Sequence, residues 1–498
     1  MIRARLLLLV SLFAILLSWS KGQANAQPNV LFIAIDDLND WVGCLGGHPQ
    51  VKTPNIDALA QRGMLFTNAH CASTACNPSR AAIFSGRYAK NTGVWSNSSP
   101  RLPQHRPDLV LVPQAFKESG YLTLGTGKLL HGGAKSNRPL FEENFYPEQR
   151  WSPLEAEQAE YTEEELPTKG TDHPRHVVEI PGKKPVVLPL NGMPSDRAPD
   201  NPKGESFDWG PWEVSDSEMG DAQITDWAIE HIEKGFEKPF FMGVGYYRPH
   251  IPLWAPEEYF EAYPIYTIQL PPIFENDLAD LSPIGKRFAL EAYTGGLHST
   301  VQRFGEWRNA VAAYLACITF VDRHVGRLID ALDNSPYAHN TWIVLWSDHG
   351  WHLGEKQHWG KWTGWERSTR VPLIIVPPKA IAGEFAEPGS KCNQPVSLID
   401  LYPTLSEVCD LSAVPDLDGQ SLIPFLHEPD LKTNRAVITT FGEGNTALRT
   451  DRWRYIRYED GSEELYDHAQ DPNEWNNQAG DTAFNDTLQE LREIALAE

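Results

Sequence analysis

The sequence lacks the features that mark several large classes of protein. Its 6 cysteines are few for 498 residues, and none stands in the Cys-x-x-Cys spacing of a metal-binding pair. The formal charge is −23 with no basic stripe, which argues against a nucleic-acid-binding protein. No long apolar run follows residue 17, so a membrane span is not expected.

The few cysteines leave the disulfide pattern open. Cys392 and Cys409 form a candidate bridge that the sequence alone does not establish. Cys317 lies in an apolar run with helical spacing, and a buried thiol is expected there.

Residues 1–26 have the pattern of a secretory signal peptide. Arg3 and Arg5 precede an apolar run at 6–17, and Ala24-Asn25-Ala26 offers a small-x-small cleavage site. The apolar run is short for a membrane span. We therefore expect an exported protein, periplasmic or secreted, or lysosomal in a eukaryote.

Strand and helix patterns alternate through a large domain, residues 27–424. Continuous apolar runs predict strands buried on both faces, as in a parallel sheet, at 30–35, 121–125, 240–246, 341–346 and 371–376. Helical apolar spacing is found at 54–63, 221–236 and 309–332. This alternation predicts an α/β fold with a mainly parallel sheet flanked by helices.

Two regions depart from that alternation. Residues 146–220 are rich in proline, acid and glycine and have little periodicity. A loop of this length is usually functional or disordered, so it is either a lid or specificity insert or plain surface decoration. Residues 425–498 hold short strand patterns and a final helix from about residue 481, which predict a small C-terminal subdomain with an antiparallel sheet.

Acidic residues follow two of the predicted strands. Asp36 and Asp37 end the first strand, and Asp348 and His349 end a later one. Sites in open parallel sheets lie beyond the carboxyl ends of the strands, so these side chains are expected to meet. Three carboxylates repel unless a cation binds, and Ca²⁺ or Mg²⁺ prefers such oxygen ligands. The alternative is that the aspartates only cap a turn, and a histidine is an atypical Ca²⁺ ligand.

Basic residues also recur after predicted strands and in nearby loops: Arg80, Lys128, His131, His250 and Lys361. Singly, each is more often a solvated charge or a core histidine. Together they would clamp an anion such as sulfate, which the negative surface otherwise repels at long range. Such cations stabilise charge that spreads over transferring oxygens, and a histidine can move the proton.

An aromatic loop lies close to these residues. Trp351, Trp359, Trp362 and Trp365 fall within one short polar stretch. Tryptophan is a core residue by default, and the alternative is stacking on a sugar ring, which we assign first to Trp351. Arg248, two residues before His250, is the second candidate substrate contact.

The string Cys76-Asn77-Pro78-Ser79-Arg80, followed by Ser85-Gly86-Arg87, resembles the site at which type I sulfatases convert cysteine into the aldehyde formylglycine. Further strings extend the resemblance in order: Asp36-Asp37-Leu38, Gly127-Lys128-Leu129-Leu130-His131, Gly245-Tyr246-Tyr247-Arg248-Pro249-His250-Ile251-Pro252 and Ser347-Asp348-His349-Gly350-Trp351. The set covers almost the whole mature chain and is most similar to the iduronate-2-sulfatase-like branch.

The resemblance implies an alkaline-phosphatase-like fold and hydrolysis of sulfate esters on a sulfated sugar or polysaccharide. It implies a formylglycine-generating enzyme as partner. It implies one Ca²⁺, bound by Asp36, Asp37, Asp348, His349 and the formylglycine made from Cys76. In the same comparison, the aldehyde hydrate is positioned by Arg80, Lys128 and His131. His131 also helps to expel sulfate, while His250 and Lys361 bind it and His250 protonates the leaving sugar oxygen.

Two rival functions remain open at this stage. One is a phosphodiesterase or phosphonate monoester hydrolase of the same superfamily, which also uses formylglycine. The other is a catalytically silent glycan-binding protein in which Cys76 stays a thiol. The sugar, the sulfated carbon, exo or endo action and the oligomeric state are not defined by the sequence.

Overall fold

A computed structural model describes residues 27–154, 166–168, 171–178, 184–197 and 206–497. The predicted signal peptide lies outside the described residues, as does part of the predicted insert. Across the described ranges, no helix has both the length and the apolar character needed to cross a membrane.

The domain is built on an eight-stranded sheet. In spatial order its strands are Lys391–Cys392, Met64–Phe66, Leu373–Val376, Thr341–Ser347, Asn29–Ile35, Phe240–Tyr246, Leu122–Gly127 and Glu143–Phe145. All strands run in one direction except Leu373–Val376, which is antiparallel to both neighbours. The predicted, mainly parallel sheet is therefore confirmed.

The continuous apolar run of the central strand, Asn29–Ile35, serves two cores. Leu31, Ile33 and Ile35 face one of them, and the alternate residues face the other. Successive side chains of a strand point to opposite faces, so a strand covered on both sides needs apolar residues throughout.

Helices cover both faces of the sheet. Trp307–Asp333 and Gly220–Lys234 pack on one face, and Cys76–Ser85, Val112–Glu118 and Leu401–Val408 pack on the other. The other α-helices in the described ranges are Pro54–Ala60, Ala89–Thr92, Leu102–His105, Gly133–Asn137, Glu257–Glu261, Pro283–Leu290, His298–Phe304, Glu366–Thr369, Ile423–His427 and Asn485–Ala497.

The strand predicted at 371–376 exists, and it is the antiparallel member of the mainly parallel sheet. A parallel connection needs a long crossover, usually a helix. The chain between Ser347 and Leu373 forms the loops of the site and one α-helix, Glu366–Thr369. It therefore returns next to Thr341–Ser347 in the opposite direction.

A second sheet forms near the C-terminus, as predicted. Its antiparallel strands are Val437–Thr440, Thr446–Arg449, Trp453–Arg457 and Glu463–Asp467. One face packs against Leu488 and Leu491 of the last helix. The other packs against Phe288 and Trp365 of the large domain, so this sheet forms a wall next to the loops of the site.

The predicted insert contains more regular structure than its composition indicated. Its described strands Leu166–Thr168, Thr171–Val178 and Val186–Leu188 form one small sheet. Trp209–Trp212 pairs with Leu253–Pro256, just beyond the His250 segment. Two further strand pairs are Ala69–His70 with Val396–Ser397, and His352–Leu353 with Trp359–Gly360.

The candidate disulfide bridge is wrong. Cys392 and Cys409 are both buried free thiols. Cys317 is a buried thiol in the helix Trp307–Asp333, as predicted.

Candidate active site

The predicted metal ligands lie at one edge of the sheet. Ile35 and Ser347 are register partners in adjacent parallel strands, so the residues that follow them emerge side by side. Asp37 is held there with a positive φ of 60°, a sparsely populated conformation for a residue other than glycine. Its amide donates to Asp348 Oδ1 at 3.1 Å, and its carbonyl accepts from the Tyr314 hydroxyl at 2.7 Å.

Four of these residues converge on one point. Ligand atoms of Asp36, Asp37, Cys76 and His349 all lie within 4.8 Å of one another, and all four residues are buried. His349 Nε2 is 3.3 Å from Cys76 Sγ and 3.4 Å from Asp37 Oδ1. His349 Nδ1 donates to the Gly350 carbonyl at 3.1 Å, which leaves Nε2 free to bind a cation.

The fifth predicted ligand, Asp348, lies beside this cluster. Its Oδ2 accepts from Arg80 Nε at 2.8 Å, and its Oδ1 accepts from the amides of Asp37 and His349. Burial raises the pKa of Asp348, but Arg80 and then His349 outweigh that effect and hold the pKa below its ordinary value. Asp348 is therefore a charged carboxylate at the edge of the cluster.

Asp37 fits a bound divalent cation. Its Oδ2 is buried and has no hydrogen-bond partner. Burial raises the pKa of Asp37 to about 7, although Lys361 acts in the opposite direction. A buried carboxylate with an unsatisfied oxygen, next to a second carboxylate and a free imidazole nitrogen, is a donor set that suits Ca²⁺ or Mg²⁺ once the histidine is accepted as a ligand.

Cys76 is the first residue of the helix Cys76–Ser85, which the sequence analysis did not identify. Two signals were available: Pro78 in the first turn, and Gly86, whose φ of 66° ends the helix. The geometry places Arg80 one turn after Cys76 on the same face. Ser79 Oγ donates to the Asp348 carbonyl at 2.6 Å, which ties this first turn to the metal-ligand loop.

Two lysines flank the Cys76 sulfur. Lys361 Nζ is 2.9 Å from Sγ and 2.7 Å from Asp37 Oδ1. Lys128 Nζ is 3.7 Å from Sγ and is paired with Asp36, which Arg80 also contacts at 3.0 Å. Burial lowers the pKa of each lysine, but the carboxylates outweigh it and raise both pKa values, so both lysines are charged.

The two predicted histidines lie on the open side of the sulfur. His250 Nε2 is 3.8 Å from Asp37 Oδ2, while Nδ1 donates to the Ile251 carbonyl at 2.7 Å. Burial, followed by Lys128 and Lys361, keeps the pKa of His250 well below its ordinary value. Burial, followed by Lys128 and Arg101, lowers the pKa of His131 to about 2. Both rings are neutral in the free protein.

A cavity of about 640 Å³ opens over these groups. His131, His250 and Lys361 line it from the large domain, and the insert contributes Arg150 and Arg197. The C-terminal subdomain contributes Phe441, Glu443, Asn445 and Glu459. A second cavity of about 390 Å³ adjoins it, and the two share His131, Arg150 and His250.

Neither candidate substrate contact lines the cavity. Trp351 is 1% exposed and lies beneath Lys361, whose Nζ is 5.7 Å from the ring centroid, so no ring face is open to a sugar. Arg248 is also buried, and it donates to the carbonyls of Trp254, Arg150 and Ser152. Arg248 therefore fastens the insert to the sheet.

The residues that do line the cavity were missed or ranked low. Of the four loop tryptophans, Trp362 is the half-buried one that lines the cavity. Its position after Lys361 was a usable signal, whereas Arg150 and Arg197 carry no distinguishing motif in the sequence.

A second acidic cluster, Glu366, His468 and Glu474, does not resemble the first. Arg454 forms ion pairs with both glutamates, and its contact with Glu474 is 3.1 Å. No buried oxygen of Glu366 or Glu474 lacks a hydrogen-bond partner, in contrast to Asp37 Oδ2 in the first cluster.

Comparisons with known proteins agree with this geometry. The family model described as Sulfatase matches residues 28–411, and the one described as N-sulphoglucosamine sulphohydrolase, C-terminal, matches residues 354–497. A sulfatase from Formosa agariphila is 36% identical over 474 residues, which cover 94% of this chain and 86% of that protein. Iduronate 2-sulfatase from Homo sapiens is 31% identical, with 80% of this chain and 72% of that protein covered.

Solved structures confirm the expected alkaline-phosphatase-like arrangement. Phosphonate monoester hydrolase from Silicibacter pomeroyi matches with a TM-score of 0.72 and 25% identity, and the match covers 95% of each chain. The family model spans most of the chain, and a relative above 30% identity spans nearly all of it. The chain therefore belongs to the sulfatase family and is a sulfuric ester hydrolase.

Proposed function

We propose that the protein is an exported sulfatase that hydrolyses sulfate esters of a sulfated carbohydrate. It does so with a formylglycine made from Cys76 and with one bound Ca²⁺. The proposal rests on the surroundings of Cys76 Sγ. Lys361 Nζ lies 2.9 Å and His349 Nε2 lies 3.3 Å from this sulfur, and Asp37, close by, has a carboxylate oxygen without a hydrogen-bond partner. In this structure Sγ occupies the place of the aldehyde's reacting end.

The modified residue and the cation supply the chemistry that ordinary side chains lack. The hydrated aldehyde offers an oxygen nucleophile and can release sulfate by returning to the aldehyde. The cation acts as a Lewis acid and a template for oxygen atoms. Asp36, Asp37 and His349 would hold it, and Asp348 would complete the set.

The cations of the chain would position the nucleophile and the sulfuryl oxygens. Lys128 and Arg80 are fixed by Asp36 and Asp348, so they need little rearrangement when negative charge develops. Lys361 reaches both the nucleophile position and the cavity, and it would therefore contact a sulfate oxygen. The N-terminus of the helix Cys76–Ser85 adds favourable potential for an anion.

His250 is placed to handle the proton of the leaving sugar oxygen. Its Nδ1–H is engaged by a backbone carbonyl, so Nε2 is the atom that gives or takes a proton. An anionic ester opposes the effect of the nearby lysines on the His250 pKa and so favours the protonated ring. His131, on the same cavity, would assist release of sulfate.

The decisive experiment measures, on the same protein sample, the chemical form of residue 76 and the rate of sulfate release. Conversion replaces sulfur by oxygen and removes two hydrogens, a change that peptide mass spectrometry resolves. We expect the aldehyde in active protein, together with release of sulfate from an aryl sulfate. Active protein with an unmodified thiol would contradict the mechanism, and inactive protein with the thiol would support the glycan-binding alternative.

A phosphonate or phosphate ester hydrolase is the second candidate, because a phosphonate monoester hydrolase shares the fold over 95% of this chain. Initial rates on matched aryl sulfate, phosphate and phosphonate esters separate the two functions. We expect sulfate to be preferred. A strong preference for the phosphorus esters would reverse the assignment.

A further inference from the structure

We propose that Arg150 and Arg197 bind a second anionic group of the substrate, a carboxylate or a second sulfate, beside the sulfate ester that is cleaved. We call these two residues the arginine subsite. The inference rests on the proposed function, because it assigns the substrate class of the same cavity. It also goes beyond that function, since a neutral sulfated sugar would satisfy everything derived above.

Within the described part of the chain, each of the two arginines uses one guanidinium nitrogen as a hydrogen-bond donor, which leaves its other donors available there. Arg150 Nη2 donates to Ser206 Oγ at 2.8 Å, and its guanidinium lies 4.8 Å from the ring centroid of Trp151. Arg197 Nη1 donates to the Thr294 carbonyl at 3.3 Å. Among the residues that the structure describes, neither arginine is in an ion pair with a carboxylate. A guanidinium carries five N–H donors and binds carboxylate or sulfate oxygens in pairs.

The same cavity contains a contrasting arginine. Arg287 pairs with Glu459 at 3.1 Å, so its charge is already balanced. Four cationic side chains and two carboxylates line the cavity, and the second carboxylate, Glu443, is exposed to solvent. A protein with a net charge of −23 thus presents a locally positive cavity. Such local positive charge strengthens the binding of an anionic sugar and does not strengthen the binding of a neutral one.

Arg150 connects the subsite to the reacting groups. It lines both cavities together with His131 and His250. An anion bound at Arg150 therefore lies close to the sulfate position. The second anionic group belongs to the same sugar or to the adjacent one.

Trp362 supplies a surface for the sugar between these charges. It has a φ of 74°, a strained conformation for a side chain of this size. In this conformation a half-buried indole lines the cavity directly after Lys361. Aromatic rings pack against the apolar face of sugars while their edges stay polar. Trp362 and the two arginines would thus select an anionic sugar in one orientation.

The test compares matched pairs of substrates. One pair is a monosulfated disaccharide containing a uronic acid, and its carboxyl-reduced form. The other pair is a disulfated hexosamine and its monosulfated form. For each pair, the ratio of kcat/KM between the two members is measured for the wild type and for Arg150→Gln, Arg197→Gln and Arg197→Lys. Arg303→Gln, an exposed arginine outside the cavity, is the matched control.

We expect at least one pair to show a preference of tenfold or more for the member with the second anion. A preference within the uronic-acid pair identifies the second anionic group as a carboxylate, and a preference within the hexosamine pair identifies it as a sulfate. Arg150→Gln and Arg197→Gln should each reduce that ratio about tenfold, a change of about 1.4 kcal/mol. The ratio for Arg197→Lys should lie between those of the wild type and Arg197→Gln, because lysine keeps the charge but lacks the paired N–H donors of a guanidinium. Arg303→Gln should keep the wild-type ratio.

Equal turnover within both pairs, or an unchanged ratio in Arg150→Gln and Arg197→Gln, would overturn the subsite. Release of sulfate from 4-nitrophenyl sulfate would then show that the proposed function still stands. If no sulfate ester is hydrolysed, the proposed function fails, and calorimetry on Cys76→Ala protein with the uronic-acid disaccharide and with the disulfated hexosamine still tests the subsite. Binding of either sugar that is lost in Cys76→Ala/Arg197→Gln supports the subsite. Binding that is absent or unchanged for both sugars rejects it.

Discussion

The ammonium group of Lys361 lies 2.9 Å from the sulfur of Cys76, although 285 residues separate them in the chain. The same ammonium contacts Asp37 at 2.7 Å. One buried cation therefore joins the nucleophile position to the metal-ligand cluster. Neither the carboxylate nor the nucleophile position can change its charge without affecting the other.

Cys76→Ala should abolish turnover and leave the fold intact. Cys76 is the first residue of its helix, and its side chain belongs to none of the hydrophobic clusters of the described residues, so the melting temperature should change by only about 2 °C. Sulfate release and thermal denaturation measure the two effects. Cys44→Ser, outside the site, is the control, and full activity in Cys76→Ala would exclude the mechanism.

Lys361→Ala should weaken binding of sulfate esters more than binding of Ca²⁺. The substitution removes a cation that faces the ester but also repels a bound metal ion. We expect kcat/KM to fall at least ~100-fold, as for loss of one preorganised charge. Calorimetry with Ca²⁺ and with a sulfated sugar gives the comparison, using exposed Lys135→Ala as control. An equal loss of both affinities would contradict the assigned role.

Ca²⁺ should stabilise the protein more at pH 8 than at pH 5. In the cation-free protein the pKa of Asp37 is raised to about 7, so the folded state holds this proton more tightly than the unfolded state. The free energy of unfolding therefore decreases as pH rises from about 4 to 7, and the cation removes that penalty. Urea unfolding with Ca²⁺ or with a chelator measures this stabilisation at each pH. Asp37→Asn should make the Ca²⁺ effect less dependent on pH, and a larger Ca²⁺ effect at pH 5 than at pH 8 would contradict the prediction.

Arg248→Ala should behave as a stability mutation. It leaves three carbonyls without their buried donor, at a cost of about 3 kcal/mol. Urea unfolding should show this loss, whereas Arg303→Ala should be neutral. Unchanged stability with a raised KM would restore Arg248 as a substrate contact.

Acid should destabilise the fold through His298. Its Nδ1 accepts from Trp359 Nε1 at 2.9 Å, and burial lowers the pKa of His298 to about 4. Between about pH 6.5 and 4 the unfolded state binds the proton first, so stability falls as pH falls, by up to about 3 kcal/mol. His298→Gln keeps an acceptor for Trp359 and should reduce the slope in urea unfolding at pH 7 and 4.5. An unchanged slope would exclude His298 as a source.

The strands and the metal-ligand cluster were predictable because their signals are local. The central strand, Asn29–Ile35, is apolar throughout because two cores cover it, and acids that follow buried parallel strands must meet at one edge. The direction of Leu373–Val376 was not predictable in this way. It depends on the path of the loops between Ser347 and Leu373, which the apolar pattern does not encode.

The sequence by itself predicted the candidate reacting groups: Cys76, the strand-end carboxylates and the lysines around them. Only the tertiary structure decided which side chains face the cavity. Trp351 and Arg248 became buried supports, while Trp362, Arg150 and Arg197 line the cavity. The physical reason is that a side chain's exposure and its remaining hydrogen-bond donors depend on what distant segments pack against it. An arginine looks the same in a sequence whether a carbonyl, a carboxylate or an open cavity lies opposite.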